Sequence, residues 1–216
     1  MSIPVLIIPV LNRYDLLEMS LKSIDHEVDD ILIINNGRDP YNIDIENLNI
    51  RVLNLPSNLG ISGSWNLGIK LYPHSPYWLF GSADTSFRPN ELKKFEEFSG
   101  SEFFIKSNAH YSCFSLGENI VKKIGLFDEY IHPAYYEDND YDDRMVLAGF
   151  ADHILCPGIQ VDDHGGSQTI KSEPHFMQRN HETFKKNGEY YRNKKETGDY
   201  FVKGWDLERR RENEWL

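Results

Sequence analysis

Ile3-Pro4-Val5-Leu6-Ile7-Ile8-Pro9-Val10-Leu11 is an unbroken apolar run at the head of the chain. A strand with one wet face alternates apolar and polar residues, so a continuous run means that both faces are covered, as in a parallel sheet between helix layers. The next residues agree. Asp15-Leu16-Leu17-Glu18 has the D-x-x-E spacing of a capping box, and Leu17, Leu21 and Ile24 share one helical face. Asp30-Ile31-Leu32-Ile33-Ile34 repeats the buried-strand signal and stops at the turn residues Asn35-Asn36-Gly37. Arg51 to Leu55 reads as a third strand, Gly63 to Leu71 as a helix, and Tyr77-Trp78-Leu79-Phe80 as a buried strand ending at Gly81-Ser82-Ala83-Asp84. The order β-α-β-β-α-β over the first hundred residues predicts an α/β fold with a mixed, mainly parallel sheet flanked by helices.

Beyond that half, Pro89 suits the first position of a helix running to about Ser99. Strands are expected over 103–106 and 112–116, and a short helix from Glu118 to Ile124. A longer helix fits Asp138 to Ala148, where Tyr141, Met145 and Ala148 share a face and Gly149 can stop it. Ala151 to Cys156 and Gln160-Val161 read as strands. Residues 171–195 carry seven Lys/Arg against three Glu with weak apolar periodicity, which predicts a C-terminal helical arm on the same domain.

The 216 residues suffice for a sizeable core, and 23 Lys+Arg against 34 Asp+Glu leave a net charge of −11. Such a field repels polyphosphates and anionic membranes, so a nucleic-acid partner is not expected. Cys113 and Cys156 are the two cysteines, a usage typical of a reduced, intracellular protein. The N-terminus lacks the basic region and cleavage site of a secretory signal, and no apolar stretch approaches the ~20 residues of a bilayer span. The expectation is a soluble cytoplasmic protein without a transmembrane segment.

Ligands of open α/β sheets sit at the carboxyl ends of the strands. Here those ends carry Leu11-Asn12-Arg13, Asn35-Asn36-Gly37, Ser82-Ala83-Asp84 and Asp162-Asp163-His164. The first βα turn has no glycine, which disfavours a dinucleotide fold, and Gly60-x-x-Gly63 lacks the Lys-Ser/Thr of a P-loop. A diphosphate would then need a divalent cation held on a carboxylate, for which Asp84 is well placed; the bland alternative is a turn before Pro89. Glu137-Asp138-Asn139-Asp140-Tyr141-Asp142-Asp143 puts five carboxylates in seven residues beside Tyr135-Tyr136. It reads either as a solvated helix start or as a general base facing a stacked sugar, with Asp138 the best candidate. In Asp162-Asp163-His164 the carboxylate and imidazole mixture suits Mn²⁺ or Mg²⁺ better than structural Zn²⁺.

Taken in order, these pieces resemble the GT-A glycosyltransferases, particularly the family 2-like group. The resemblance rests on Pro9-Val10-Leu11-Asn12-Arg13, Ile33-Ile34-Asn35-Asn36-Gly37, Asn58-Leu59-Gly60 through Trp65-Asn66-Leu67-Gly68, Ser82-Ala83-Asp84, Phe127-Asp128-Glu129, Tyr136-Glu137-Asp138-Asn139-Asp140 with Arg144 and Gly149-Phe150, and His164. It spans about residues 3 to 166. It implies one GT-A domain over 1–216, with a nucleotide-sugar-binding half (1–100), an acceptor and catalytic half (101–170) and the arm (171–216). By the same resemblance Pro9, Leu11, Asn12, Asn35, Gly63, Ser82, Ala83 and Asp84 would line the donor site. Asp84 and His164 would hold Mn²⁺ or Mg²⁺. Asp138 would deprotonate the acceptor hydroxyl and Glu137 would orient it. The implied activity is a hexosyltransferase-type transfer from a nucleoside diphosphate sugar, UDP-sugar favoured, to a glycan or glycoprotein acceptor, with inversion. Two departures stand out. Ser82 replaces the first carboxylate of the family's D-x-D, and Asn35 stands where Asp is common, so a nucleotide- or glycan-binding module without turnover remains the alternative. The arm, with Tyr190-Tyr191-Arg192-Asn193-Lys194, resembles a tail in some phage and large-virus relatives; Lys194 or Lys195 would reach the diphosphate or, as the better reading, form an exposed basic face.

Overall fold

The computed structural model describes residues 2–164 and 174–204, with the side chains of 174–176 left aside. The glycines after His164 and the Arg209-Arg210-Arg211 stretch lie outside the described residues.

Strands β1 (Ile3–Val10), β2 (Val28–Asn35), β3 (Ile50–Asn54) and β4 (Tyr77–Gly81) alternate with helices α1 (Tyr14–Lys22) and α2 (Gly60–Leu71). After β4 come β5 (Thr85–Phe87), α3 (Glu91–Phe98), β6 (Phe104–Ser107), β7 (His110–Gly117), α4 (Glu118–Ile124), α5 (Glu137–Leu147), β8 (Ile154–Leu155), β9 (Val161–Asp163) and α6 (Pro174–Thr197). Seven strands form one sheet in the order β3-β2-β1-β4-β7-β6-β8, while β5 and β9 pair in a separate antiparallel ribbon. Four of the six strand pairings in the large sheet are parallel, and the antiparallel ones place β7 between β4 and β6.

The continuous apolar runs are continuous because each face has its own core. Leu6, Ile8 and Val10 of β1 and Ile31 and Ile33 of β2 pack with Leu17 and Leu21 of α1 and Phe95 of α3. The alternate residues Val5, Ile7, Leu32 and Ile34 join Trp65, Phe114, Phe127 and Tyr141 on the opposite side. Helix α2 lies so close to β1 that a β-carbon on Gly68 would meet Ile7 Cδ1 at 2.6 Å. That glycine is required by packing, not by a turn.

Several local expectations are corrected. Asp15 does not cap α1: Arg13 holds the N-cap position without a side-chain cap, and its guanidinium donates to Asp15 at 2.8 and 2.7 Å. Pro89 precedes α3 instead of opening it, because Asn90 takes a left-handed φ of 66° and the helix begins at Glu91. Helix α2 starts at Gly60, a turn earlier than its apolar pattern suggests. Residues 151–156 split into a single 3-10 turn (Ala151–His153) and the two-residue β8. Helix α5 begins at Glu137, so Asp138 is its second residue. Gly149 does end it, with φ of 77°.

Candidate functional site

Because β1, β2, β3 and β4 are mutually parallel, Leu11, Asn35, the loop after Asn54 and Ser82 all emerge at one edge of the sheet. Strand β7 runs the other way, and its Cys113 pairs with Gly81, so Tyr111 arrives at that same edge. Tyr111 donates its hydroxyl to Asp142 at 2.7 Å and feels the charge of Asp138. The first turns of α5 therefore lie over the carboxyl edge that also carries Asp84.

The first side of the site is built by asparagines. Asn35 is buried, and its Oδ1 accepts from the Tyr14 hydroxyl at 3.0 Å and the Gly37 amide at 2.9 Å. Its Nδ2 donates to Asp39 O at 2.9 Å and Asn54 Oδ1 at 2.8 Å. All four bonding directions of the side chain are thus engaged in shaping the loop after β2. Asn12 adopts φ of 61°, and its Oδ1 accepts from Arg38 N at 3.2 Å. Gly37 lies tightly between them, since a β-carbon there would be 2.5 Å from Asn12 Oδ1 and 2.6 Å from Tyr14 Oη and would have to displace both side-chain ends. Pro9 is buried near the end of β1, Leu11 is half-buried just beyond it, and Gly63 is buried in the first turn of α2.

The conspicuous string from Asn58 to Gly68 has a physical account. Asn36 donates Nδ2 to Ser64 Oγ at 2.9 Å and accepts from Leu59 N at 2.8 Å, tying β2 to the start of α2. Asn58 Oδ1 accepts from Gly60 N at 2.8 Å. Asn66 grips the backbone of Phe127 at both ends, donating to its carbonyl and accepting from its amide, each at 2.9 Å. Gly60 has φ of 73°, and a β-carbon on it would press within 2.7 Å of His132 and of Pro133 O. Ile61 N donates to that same Pro133 carbonyl at 2.7 Å. The start of α2 is thus keyed to the loop that leads into Glu137 and Asp138.

On the other side, Ser82-Ala83-Asp84 forms the turn after β4, closed by Thr85 N to Ser82 O at 3.1 Å. The β5–β9 ribbon brings His164 beside Asp84: His164 N donates to Asp84 O at 2.9 Å. Nothing in the sequence reading anticipated β5, whose three residues Thr85-Ser86-Phe87 find their partner 74 or more positions away. Burial raises the Asp84 carboxyl above its usual range, the charge of Asp163 adds to the rise, and His164 and Arg13 oppose it. His164 Nε2 is 2.8 Å from Ser86 Oγ, and the ring borders an open groove of about 620 Å³ beside α1. Asp162 is engaged elsewhere, accepting from Arg88 at 2.8 Å. Among the described residues no group of three or more His, Cys, Asp or Glu side chains is gathered for a metal ion. One carboxylate and one imidazole on adjoining backbones nevertheless fit a hard cation that takes its other ligands from phosphates and water.

Glu137 and Asp138 open α5 directly after Tyr135 and Tyr136. Glu137 is buried, its Oε2 has no hydrogen-bond partner among the described residues, and burial reinforced by the Asp138 charge pushes its carboxyl up to about 8. It is therefore a neutral acid at pH 7 that can donate a hydrogen bond. Asp138 is half-buried, and its Oδ1 accepts from Asn139 N at 2.8 Å.

In the unfolded chain Glu137 has its ordinary value of 4.5, against about 8 when folded. Between those values the folded state holds a proton that the unfolded state has lost, so stability falls as pH rises through this window and levels off above it. Urea unfolding of wild type and Glu137→Gln at pH 5 and pH 9 should show a smaller loss in the variant, by on the order of a few kcal/mol at most. Equal losses in both proteins would remove the raised carboxyl.

Lys194 is the clear correction. It is 3% exposed, and its Nζ lies 2.7 Å from Asp128 Oδ2 and 2.5 Å from Asp140 Oδ1. Asp140 also accepts from Arg144 Nε at 2.9 Å, and Tyr190 donates to Asp128 at 3.0 Å. Lys194 thus neither forms part of an exposed basic face nor reaches a diphosphate; it bolts α6 to α5 and to the loop before it. Lys195, more exposed, pairs with Asp143 at 3.3 Å. The arm had appeared solvated because its seven cations outnumber its acids, but the balancing carboxylates come from elsewhere in the chain.

A family model described as glycosyl transferase family 2 matches residues 5–109. The chain is 33% identical over 70 residues to a galactofuranosyl glycosyltransferase of Leishmania donovani, covering 32% of this chain and 16% of that protein. TarS of S. aureus superposes with a TM-score of 0.55 at 14% identity over 74% of this chain and 36% of TarS, and a shorter TarS solved with UDP gives 0.53 at 16% over 74% and 59%. A variant of Drosophila β1,4-galactosyltransferase 7, solved with manganese, UDP-Gal and xylobiose, gives 0.53 at 13% over 79% of this chain and 74% of that one. The chain spans a small part of the curated relative and about a third of TarS. No described helix is long and apolar enough to cross a membrane. Residues 5–109 thus match glycosyl transferase family 2, and the fold of the chain is that of these GT-A neighbours.

Proposed function

We propose that this chain transfers a sugar from a nucleoside diphosphate sugar, most readily a UDP-sugar, to a hydroxyl group of a glycan or glycoprotein. The observation that carries the reading is the meeting at one sheet edge of two acidic centres of different character: Asp84 with His164 after β4 and β5–β9, and Glu137 with Asp138 at the start of α5. UDP in the TarS complex and UDP-Gal with manganese in the galactosyltransferase complex support the donor class.

In this reading residues 1–100 hold the donor. Pro9, Leu11, Asn12, Asn35 and Gly63 line the nucleoside side, with Asn35 acting through the loop it shapes. Ser82, Ala83 and Asp84 face the diphosphate. Asp84 and His164 would hold Mn²⁺ or Mg²⁺, which when bound offsets diphosphate charge that a chain of net charge −11 cannot neutralise by itself. His164 must release Ser86 to use Nε2. Asp138 takes the proton of the acceptor hydroxyl as its oxygen bonds to the anomeric carbon and the bond from that carbon to the diphosphate breaks. Glu137, neutral, donates a hydrogen bond that orients the acceptor. A serine in place of the first D-x-D carboxylate leaves Asp84 as the main anionic ligand, so removing it should be felt strongly.

Calorimetric titration of UDP in Mn²⁺, and again after chelation, tests this. UDP should bind only with the metal, more tightly than GDP, and Asp84→Ala should weaken it at least ~10-fold. Binding indifferent to metal would remove the role of Asp84 and His164. UDP binding without any transfer across a donor and acceptor screen would favour a binding module of the same fold.

A further inference from the structure

Tyr135 and Tyr136 are consecutive residues with φ of 77° each. Left-handed backbone costs a bulky side chain on the order of 1–3 kcal/mol per residue, and such strain concentrates at functional sites. Helix α6 holds it in place. Asn187, completely buried, donates Nδ2 to Ala134 O at 2.8 Å and to His132 O at 3.2 Å. The ring of Tyr136 lies against Gly188, where a β-carbon would meet Tyr136 Oη at 2.8 Å.

The strained turn does not bury its aromatics. It brings Tyr135 and Tyr136 to Phe184 of α6, at ring-centre distances of 5.3 and 5.0 Å, and leaves Phe184 46% exposed and Tyr135 half-buried. Tyr191, on the same helix, is close enough to sense the charge of Asp138. Tyr135 meets Phe184 edge to face, with 69° between the ring planes, so the rings make a partly exposed aromatic corner beside the acids that begin α5. Aromatic rings carry negative π density on their faces and attract weakly positive C–H groups, and the half-exposed ring of Phe184 beside carboxyl groups matches a sugar ring with an apolar side and a hydroxylated edge.

We propose that Phe184 is the platform of the acceptor subsite with Tyr135 as its side wall, and that the acceptor is an uncharged pyranose ring whose C–H face stacks on Phe184 while its hydroxyls turn to Glu137 and Asp138. The proposal rests on the transferase reading above. The acidity of the chain argues against an anionic acceptor, and a single peptide hydroxyl would have no use for the platform.

Saturation-transfer NMR of the full chain with xylobiose and with methyl β-D-galactopyranoside tests it. Sugar ring protons should receive saturation from the wild type. Phe184→Ala should weaken sugar binding about tenfold, and Phe184→Trp should retain it. Thermal unfolding of both variants checks the fold, which half-exposed Phe184 should not perturb. No transfer to either sugar in the wild type, or equal affinity in Phe184→Ala, overturns the platform. UDP titration on the same samples keeps the two readings apart: its failure strikes the transferase, whereas intact UDP binding with no sugar contact strikes the platform alone.

Discussion

Asp138→Asn should lower sugar transfer at least ~100-fold while leaving the UDP dissociation constant within about twofold of the wild type. Asparagine has the shape of aspartate and retains an oxygen for the Asn139 amide, so the start of α5 should stand. What it loses is the ability to take a proton. Transfer measured as UDP release in the presence of acceptor, beside calorimetry of UDP alone, separates the two effects. Unchanged transfer would place the base elsewhere. A parallel loss of UDP binding would show instead that the substitution has disturbed the loop. Because the Asp138 charge also helps to hold the Glu137 proton, the variant should shift the Glu137 titration downward, a change visible in the pH dependence of unfolding.

Lys194→Met should destabilise the protein by about 3–5 kcal/mol, because it strands Asp128 and Asp140, both completely buried, without their shared cation. In a chain of this size that corresponds to a fall in melting temperature of roughly 6–20 °C. The fall should be partly reversed by Asp128→Asn in the same chain, since a neutral amide no longer needs the ammonium. A surface lysine would give no measurable change. A melting temperature within about one degree of the wild type would therefore return Lys194 to the solvated face that the composition of the arm suggested. The two experiments meet in one place: the ion network fixes α6, α6 fixes the loop at 132–136 through Asn187, and that loop delivers Asp138.

How much of this was legible before the structure depends on the range of the interaction concerned. The apolar runs of β1, β2 and β4 were readable because burial on both faces leaves a mark residue by residue. Helix α4 was readable at both ends. The capping role of Asp15 was not, because Arg13 competes for its carboxylate two residues away. Pro89 looked like a helix opener until Asn90, in left-handed backbone, took the corner. Asp84 and Asp138 were singled out by position and resemblance, whereas the ribbon that carries His164 to Asp84 depends on a pairing of Thr85-Ser86-Phe87 with Val161-Asp162-Asp163. Three-residue strands have too little pattern to announce such a partner.

By itself the sequence determined the two-sided sheet, the order of its elements and the polar residues at the strand ends, because hydrophobic periodicity and turn chemistry are local properties of the chain. The tertiary structure alone decided which of those polar residues are engaged and which are left to act. Asn35 is saturated by Tyr14, Gly37, Asp39 and Asn54, and Lys194 is buried against acids more than fifty residues away. Glu137 Oε2 is left without a hydrogen-bond partner among the described residues, and the proton affinity of the carboxyl rises because desolvation is set by neighbours in space, which no spacing along the chain encodes.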